Sequence, residues 1–497
     1  MTTSAASKPF DGQRVLVTAL DLEQREHRGI AVYSKALIRH LHRMGAEVWL
    51  LTQFSPKTSD LRSLPKETQK IIYSSRTLNE LVNGKTVHVP LLERLFPFLS
   101  TAGHRYRKLR KALQRVNGKR SFHHKELKSF RLSELSDNPN LRISRLDYLE
   151  HVEGIVSLDD VYEASQIAAL KKHHQPVTLD LRGFDAFITC CPLNLRARNT
   201  PVFVQTVHDL IALEYAPHDE NMRQFTHRLQ ACRPARRIHV SSSTRRKFHD
   251  HIRGHEGELL GQEDTLVQPP SLCLPPLQRQ SGEQANDLPP TSYLLQETPL
   301  TTHQKGAALS PFKYLLFNSS VEARKNLLFL VKAFAQSGLG RQGIRLCVTG
   351  KLKSDRYSQA VKEVVAHEPA ILLTGYVDEA TKLDLYLNAL ALLSPSLVEG
   401  FGIPVLDAAC LGLPALASSC DAHREIHDLF DFSDYVLPLS ILETRDWAVA
   451  MQATAGLHEH LADDAEAERM RRLRRYLRMS DQIETRFEQQ IADLMLA

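Results

Sequence analysis

The chain has 497 residues, 42% of them hydrophobic and 24% charged, with a formal net charge of +6 at pH 7. This length predicts two domains with insertions, because one core does not keep growing to such a size. No apolar run approaches the roughly 20 residues that span a bilayer, and the polar N-terminus lacks a secretory signal's apolar core. Seven scattered cysteines, including Cys190 and Cys191 as buried free thiols, indicate the reducing cytoplasm.

The N-terminal part of the chain predicts alternating parallel strands and helices. Arg14 to Ala19 is the first strand, and the segment HRGIAVYSKALIRHLHRMGAEVWLLT reads as a glycine loop, an amphipathic helix and a second strand. Gly45 ends this helix. Further strands are predicted at Gly183 to Thr189 and at Pro201 to Val207. This order is typical of a doubly wound α/β domain.

The strand Pro201 to Val207 is followed directly by His208 and Asp209. A polar pair at the carboxyl end of a parallel strand lies where α/β sheets bind ligands. Asp209 can either fix the tautomer of His208 or cap the turn. Farther on, Arg237 to Phe248 predicts a strand and a helix that close the domain, with Ser242 or Ser243 as the helix cap.

Residues 52 to 156 form a divergent basic insertion. Between His104 and Arg131 there are eleven lysines or arginines against one glutamate, with apolar residues at partly helical spacing. This pattern fits peripheral contact with an anionic membrane at the inner face, and it fits a solvated surface equally well. Aromatic residues are too few for base stacking, so we expect no nucleic-acid partner.

The segment Pro269 to about Pro311 is rich in Pro, Gln, Ser and Thr and predicts the interdomain linker. A second α/β domain follows, with a buried strand at Tyr314 to Phe317 and a helix at Lys325 to Gln336. Arg324 and Lys325 therefore lie at the carboxyl end of a strand, where two fixed cations can neutralise an anionic ligand. Further strands are predicted at Arg345 to Gly350, Ile371 to Val377 and Pro414 to Ser418, and helices after Asp463 and at Ile483 to Met495.

The segment SPSLVEGFGIPVLDAACLGLPAL, residues 394–416, carries the strongest functional pattern. A buried strand leads into a tight glycine turn, and Pro404 stands where the first helical residue is expected. Gly400 and Gly402 permit close approach of a ligand to the backbone. The unpaired N–H groups of the helix start form an anion site, bracketed by the carboxylates Glu399 and Asp407.

This segment resembles the EGFGLPVLEA signature of the retaining glycosyltransferases of family 4, within glycosyl transferases group 1. The resemblance implies the GT-B fold, in which two doubly wound Rossmann-like α/β domains face a central cleft. It also implies that Glu399 lies against the hydroxyl groups of a donor sugar and that Asp407, which replaces the family's usual Glu, binds the nucleotide ribose. The glycine turn and helix start would hold the diphosphate through Gly400, Phe401, Gly402, Ile403, Pro404 and Val405.

Four shorter motifs resemble the same family. Gly29 matches the middle glycine of a GGIGRY loop that approaches the donor phosphate or the acceptor. His208 and Asp209 match a tiHDl motif whose histidine reaches the donor sugar or its phosphate. The segment VEARKN is similar to lEpRKN, which implies that Arg324 and Lys325 neutralise the leaving diphosphate. A TGYV motif places Gly375 and Tyr376 beside the nucleotide base.

The resemblance implies a retaining, metal-independent enzyme that moves a hexose of the mannose or glucose type from a UDP- or GDP-linked sugar to a glycan or lipid-linked acceptor. No metal-ligand spacing appears, and we expect no cofactor. We expect an acceptor-side domain at residues 1–300, a nucleotide-sugar domain at 301–480 and a returning C-terminal helix at 481–497. Asp407, the altered glycine loop and Ser319, where some relatives have Arg, leave open a catalytically impaired sugar-nucleotide-binding or scaffold subunit.

Overall fold

A computed structural model describes residues 8–24, 27, 29–56, 58–83, 120–135, 144–171, 175–215, 220–252, 261–274, 293–295, 306–353 and 355–497. Its two largest sheets are parallel except at one edge strand, and helices connect their strands. This arrangement confirms the predicted α/β class with two doubly wound domains. Of the basic segment His104 to Arg131, residues 104–119 lie outside the described residues.

The N-terminal domain contains the following elements. The strands are β1 (Arg14–Thr18), β2 (Glu47–Thr52), β3 (Ser121–Phe122), β4 (Lys128–Arg131), β5 (Gly154–Ser157), β6 (Val177–Asp180), β7 (Ala186–Thr189), β8 (Leu195–Arg198), β9 (Val202–Val207), β10 (Arg236–His239) and β11 (Glu263–Thr265). The helices are α1 (Gly29–Arg43), α2 (Lys66–Asn83), α3 (Val161–Leu170), α4 (Ile211–Glu214), α5 (Met222–Ala231) and α6 (Ser242–Ile252).

The main sheet of this domain has the strand order β11-β10-β9-β7-β1-β2-β5-β4. All its pairs are parallel except β4 with β5. From β1 the chain adds β2 on one side and later β7 on the other, so the strand order reverses between β1 and β7. Such a switch point is where open parallel sheets bind ligands. A small parallel sheet, β3-β6-β8, covers one side. Strand β3 of this small sheet and the edge strand β4 of the main sheet lie within the basic segment His104 to Arg131, where the sequence shows partly helical spacing.

The C-terminal domain begins after a hairpin of β12 (Tyr293–Leu295) and β13 (Gly306–Ala308). Its strands are β14 (Tyr314–Asn318), β15 (Arg345–Thr349), β16 (Ile371–Gly375), β17 (Ala391–Ser394), β18 (Ala415–Ser418) and β19 (Val436–Leu439). Its helices are α7 (Leu327–Ser337), α8 (Arg356–Val365), α9 (Glu379–Asn388), α10 (Ile403–Leu411), α11 (Asp421–His427) and α12 (Thr444–Leu457). The six strands are parallel in the order β16-β15-β14-β17-β18-β19, so the switch point lies between β14 and β17.

One helix, α13 (Ala465–Leu496), replaces the two helices that the sequence predicts at the C-terminus. Its first half packs into the core of the second domain through Tyr476 and Met479. Its second half packs into the core of the first domain through Phe487 and Ile491. The apolar stripe of α13 continues through the position where the sequence predicts a break between two helices. The helix therefore packs against both domains.

Candidate active site

A cavity of about 520 Å³ lies between the two domains, at the carboxyl ends of both parallel sheets. The first domain contributes the loops after β1 and β9, and the second contributes the loops after β14, β16 and β17. Such a crevice at two facing switch points is where open α/β sheets bind ligands. The candidate residues that line it are Gly29, His208, Asp209, Arg324, Lys325, Gly375, Tyr376, Glu399, Gly400, Phe401, Gly402, Ile403, Pro404 and Asp407.

The glycine turn before α10 brings this helix start to the cavity. Gly402 has φ +103°, a left-handed conformation that L side chains rarely adopt. A Cβ atom at Gly400 would lie 2.5 Å from the carbonyl oxygen of His208, so glycine also lets the two domains meet here. The helix begins at Ile403, one residue before Pro404, which the sequence predicts as the first helical residue.

Val405 is the one predicted donor-site residue that does not line the cavity. Its side chain is fully buried in the core of the second domain. Its N–H donates to the carbonyl oxygen of Gly402 at 2.9 Å. Because this bond closes the first turn, the N–H group of Val405 already has a backbone acceptor, whereas the other predicted donor-site residues line the cavity. The N–H groups of Gly402 and Ile403 precede the first intrahelical bond and remain directed outward from the helix start.

Lys325, Arg324 and Glu399 form a charged cluster on the floor of the cavity. Lys325 Nζ donates to Glu399 Oε1, Arg324 lies 3.5 Å from Glu399 Oε2, and Ser396 Oγ donates to Glu399 Oε1 at 2.7 Å. Burial alone would raise the pKa of Glu399, but the charges of Lys325 and Arg324 outweigh it and hold this pKa at about 2. Glu399 is therefore an ionised acceptor at neutral pH.

A short turn directs Lys325 into this cluster. The predicted helix from Lys325 begins only at Leu327, because residues 323–325 form a 3₁₀ turn and Asn326 adopts φ +56°. Lys325 is 8% exposed, and burial lowers its pKa while the neighbouring Glu399 opposes that shift. Arg324 is less buried and also pairs with Glu322 at 3.1 Å. The two cations thus occupy the cavity wall with different degrees of solvent access.

His208 is buried at the end of β9, where Tyr33 packs edge-on against its ring at 4.8 Å between centroids. Its Nε2 lies 2.7 Å from the carbonyl oxygen of Cys190, which can only accept, so Nε2 carries the proton. Burial lowers the pKa of His208 to about 4, although this bond opposes the shift. The ring is therefore neutral at pH 7, and its Nδ1 is a hydrogen-bond acceptor.

Asp209 caps the turn that follows β9. Its Oδ1 accepts a bond from the N–H of Ile211 at 3.1 Å, while Cys190 fixes the tautomer of His208. Of the two roles that the sequence leaves open for Asp209, the turn cap is therefore the one that its contacts support.

Asp407 lies one turn inside α10 and is 1% exposed. Ser271 donates to it twice, from its N–H at 2.6 Å and from its hydroxyl at 2.5 Å. Burial raises the pKa of Asp407 to about 6, although both bonds oppose that shift. Asp407, the residue predicted to bind the ribose, is therefore held by Ser271. Ser271 belongs to the interdomain segment, to which the sequence assigns no functional role.

Two further polar residues of the cavity are absent from the sequence-based candidates. Asp21 follows β1, and its Oδ2 has no hydrogen-bond partner among the described residues. Burial raises the pKa of Asp21 to about 7. Gln268 lies three residues before Ser271, and its Oε1 also has no hydrogen-bond partner among the described residues. Neither Asp21 nor Gln268 belongs to a motif. The only sequence signal for a role in the site is that each residue follows the end of a strand.

Hydrogen bonds join the two domains next to the glycine turn. Ser241 Oγ donates to the carbonyl oxygen of Gly400 at 2.8 Å and accepts from the N–H of Thr244 at 3.0 Å. Ser241 is therefore the cap of α6, not Ser242 or Ser243 as predicted. The N–H groups of Ser242 and Ser243 instead donate to the carboxylate of Glu425 in the second domain.

The described residues contain one group of potential metal ligands, His123, His124 and Asp180. The sequence predicts no such cluster, because the strands β3 and β6 that bring it together pair residues that are 57 positions apart, such as Phe122 and Leu179. None of the three residues lines the cavity. This group therefore has no part in the candidate active site.

Comparisons with known proteins agree with this architecture. Residues 301–431 match the family described as Glycosyl transferases group 1. Sucrose-phosphate synthase from Thermosynechococcus elongatus is similar at 13% identity and a TM-score of 0.50, with 97% of this chain and 99% of that chain covered. TarM from S. aureus is similar at 10% identity and a TM-score of 0.50, with 98% and 100% covered. None of the curated proteins compared with the sequence matches it.

At these identities the structural likeness defines the fold, which is GT-B. The segment that matches glycosyl transferases group 1, residues 301–431, contains the glycine turn, α10 and the Lys325–Glu399 cluster. This family match supports glycosyltransferase activity. Among the described residues, no helix has the length and apolar character needed to cross a membrane.

Proposed function

We propose that this protein is a retaining, metal-independent hexosyltransferase. It transfers a sugar of the mannose or glucose type from a UDP- or GDP-linked donor to a hydroxyl group of a glycan or lipid-linked acceptor. One observation carries the proposal: the open start of α10 and the cations Arg324 and Lys325 line the same cavity. A helix start and fixed cations are complementary to a diphosphate.

The reaction breaks the bond between C1 of the donor sugar and the diphosphate oxygen, whose electron pair leaves with the diphosphate. The acceptor oxygen forms its bond to C1 on the same face, and a leaving phosphate oxygen takes the acceptor proton. Arg324, Lys325 and the N–H groups at the start of α10 stabilise the charge that develops on the diphosphate. No other proton acceptor is required for this balance.

Glu399 and His208 position the sugar in this proposal. Glu399 is held ionised by two cations, and a carboxylate accepts hydrogen bonds from sugar hydroxyl groups. His208 is neutral with its proton on Nε2, so its Nδ1 accepts a bond from a hydroxyl group.

The nucleoside lies farther along α10 in this proposal. Asp407 is four residues beyond the helix start, which corresponds to about 6 Å along the axis. This spacing suits a ribose beside Asp407 and a diphosphate at the tip, with the base near Gly375 and Tyr376. Gly29, on the opposite wall at the start of α1, borders the donor phosphate or the acceptor.

The competing proposal is a catalytically impaired sugar-nucleotide-binding or scaffold subunit. Asp407 favours it, because this shorter carboxylate stands where the family usually has Glu, and it already accepts one hydrogen bond from Ser271 at each oxygen. Purified protein is incubated with UDP- and GDP-linked glucose, mannose and related hexoses, and release of nucleoside diphosphate is measured with and without glycan acceptors. If the protein releases nucleoside diphosphate and Glu399→Gln abolishes this release, the result supports an enzyme. If the protein binds a nucleotide sugar without any turnover, the result supports the impaired subunit.

The stereochemistry and the membrane contact are tested separately. Proton NMR of the freshly formed product gives its anomeric configuration, and an inverted centre contradicts a retaining reaction. We propose a cytoplasmic location with peripheral contact at the inner face of the membrane. Cosedimentation with vesicles of anionic and of zwitterionic lipids tests this contact, because an electrostatic attachment requires the anionic lipid and weakens with salt.

A further inference from the structure

A short segment crosses from the first domain to the second beside the cavity. We name Leu266 to Leu272 the crossover segment. At its start the N–H of Leu266 donates to the carbonyl oxygen of His239 at 2.9 Å, and Leu266 lies in the first core. At its end the N–H of Leu272 donates to the Tyr476 hydroxyl at 2.9 Å, and Leu272 lies in the second core.

The middle of the crossover segment is stiff. Pro269 and Pro270 are both buried, and each proline fixes its own φ near −65°. The segment is therefore anchored in both cores and restricted between its anchors. Its two polar cavity residues, Gln268 and Ser271, are held in place before any ligand arrives, as specific recognition requires.

Gln268 presents an unused acceptor to the cavity. Its side chain is 3% exposed, and its Oε1 has no hydrogen-bond partner within the described residues. A buried polar atom without a hydrogen-bond partner destabilises the folded state, so such atoms are rare unless a ligand completes them. Because Gln268 lines the cavity, a ligand in the cleft can supply the missing donor.

Ser271 acts on the site through Asp407. It donates both its N–H and its hydroxyl to this carboxylate, and the Ser271 oxygen keeps lone pairs that can accept a bond. Gln268 precedes Ser271 by three residues, so their Cα atoms are at most about 10 Å apart. Gln268, Ser271 and Asp407 all line the cavity, so three acceptors belong to the same cleft.

We propose that the crossover segment forms the ribose-binding wall of the donor site, with Gln268 as a direct contact and Ser271 as the positioning residue for Asp407. This inference rests on the proposed function and adds a recognition element from outside the family motif. Ribose hydroxyl groups supply the donors that Gln268 lacks. Inorganic pyrophosphate has no ribose, so it should bind at the start of α10 independently of this wall.

Titration calorimetry of the full chain with UDP, GDP, ADP and inorganic pyrophosphate tests the inference. We expect Gln268→Leu to weaken the nucleotide that binds by about fivefold or more, as loss of one hydrogen bond predicts, and to leave pyrophosphate affinity unchanged. In this variant the 2′-deoxy or the 3′-deoxy analogue should bind as tightly as its parent nucleotide. Gln359→Leu, on an exposed face of α8, is the matched control and should change nothing.

Ser271 is tested by two substitutions. Ser271→Ala removes one bond to Asp407 and should weaken nucleotide binding, while Ser271→Thr keeps a hydroxyl group and should restore it. The ribose-binding wall is contradicted if Gln268→Leu leaves nucleotide binding unchanged, or if it weakens nucleotide and pyrophosphate binding equally. Neither result contradicts the proposed function. Failure of the unmodified protein to bind any of the three nucleotides contradicts the proposed function as well, which separates the two claims.

Discussion

Lys325 and Glu399 are 74 residues apart in the chain and form a buried ion pair on the floor of the cleft. Their side chains are 10% and 8% exposed. Lys325 follows β14 and Glu399 follows β17, the two strands at the switch point of the second domain. The sheet order thus brings together a cation and a carboxylate to which the sequence gives separate roles.

Breaking this pair should destabilise the protein. Glu399→Gln or Lys325→Met alone leaves one buried charge without its partner, and the expected loss is about 3–5 kcal/mol in the free energy of unfolding. The double substitution should recover part of it, because neither charge then remains. Urea denaturation of the four proteins measures this coupling.

The control for this experiment is the pair of the exposed Lys353 and the half-buried Glu322, whose charged atoms lie 3.2 Å apart. Lys353→Met should cost at most about 1 kcal/mol, since exposed pairs contribute little. Equal losses for Lys325→Met and Lys353→Met would contradict the buried character of the Lys325–Glu399 pair.

Asp21 should make the protein less stable as the pH rises. Burial raises its folded-state pKa from 3.8 to about 7, so the folded state holds this proton more tightly than the unfolded state. Its contribution to stability is therefore present below pH 4 and is lost as the pH rises through 7. Asp21→Asn should remove that part of the decrease in melting temperature between pH 4 and pH 8. Asp11→Asn, at an exposed position, should leave the pH profile unchanged.

The two cavity glycines Gly400 and Gly29 should respond differently to alanine. A Cβ at Gly400 would lie 2.5 Å from His208 O and 2.9 Å from Asp209 Cβ, so Gly400→Ala should separate the domains and strongly reduce turnover. A Cβ at Gly29 meets nothing within 4 Å, and Gly29→Ala should keep or slightly raise the melting temperature. X-ray scattering and thermal melts measure these effects. Wild-type compactness in Gly400→Ala would contradict the close domain contact.

Glu425 should favour the closed arrangement of the domains. Its carboxylate accepts bonds from the N–H groups of Ser242 and Ser243 at 2.7 and 3.2 Å, across the domain boundary at the start of α6. Glu425→Ala removes both, and we expect a larger radius of gyration and weaker donor binding by about tenfold or less. Glu443→Ala, an exposed residue before α12, should change neither quantity. An unchanged radius of gyration in Glu425→Ala would show that these bonds do not control closure.

The glycine turn could be predicted from the sequence because it is local. Glycines, a proline and a helix follow a buried strand within about twenty residues, and the structure places all of these at the cavity except Val405. Val405 differs because the sequence alone does not show where the first intrahelical bond forms. The start of the helix at Ile403, one residue earlier than predicted, gives the Val405 N–H a backbone acceptor.

The partners of Asp407 and His208 could not be predicted in this way. Ser271 reaches Asp407 across 136 residues, from a segment whose composition indicates only a linker. Cys190 binds His208 through its carbonyl oxygen, a group that every residue has. Such contacts depend on how the two sheets face each other, which no local pattern encodes. The continuous α13 was missed for a related reason, since its apolar stripe serves two different cores.

The most direct test of the central claim is calorimetric binding of a panel of UDP-, GDP-, ADP- and dTDP-linked sugars to the unmodified protein and to Arg324→Gln. Arg324 is less buried than Lys325, so its substitution disturbs the fold less. We predict that at least one nucleotide sugar binds and that Arg324→Gln weakens it at least tenfold, while Lys332→Gln on an exposed face of α7 has no effect. Binding of no panel member, or equal affinity for the Arg324→Gln variant, would contradict a diphosphate site formed by this cation and the start of α10.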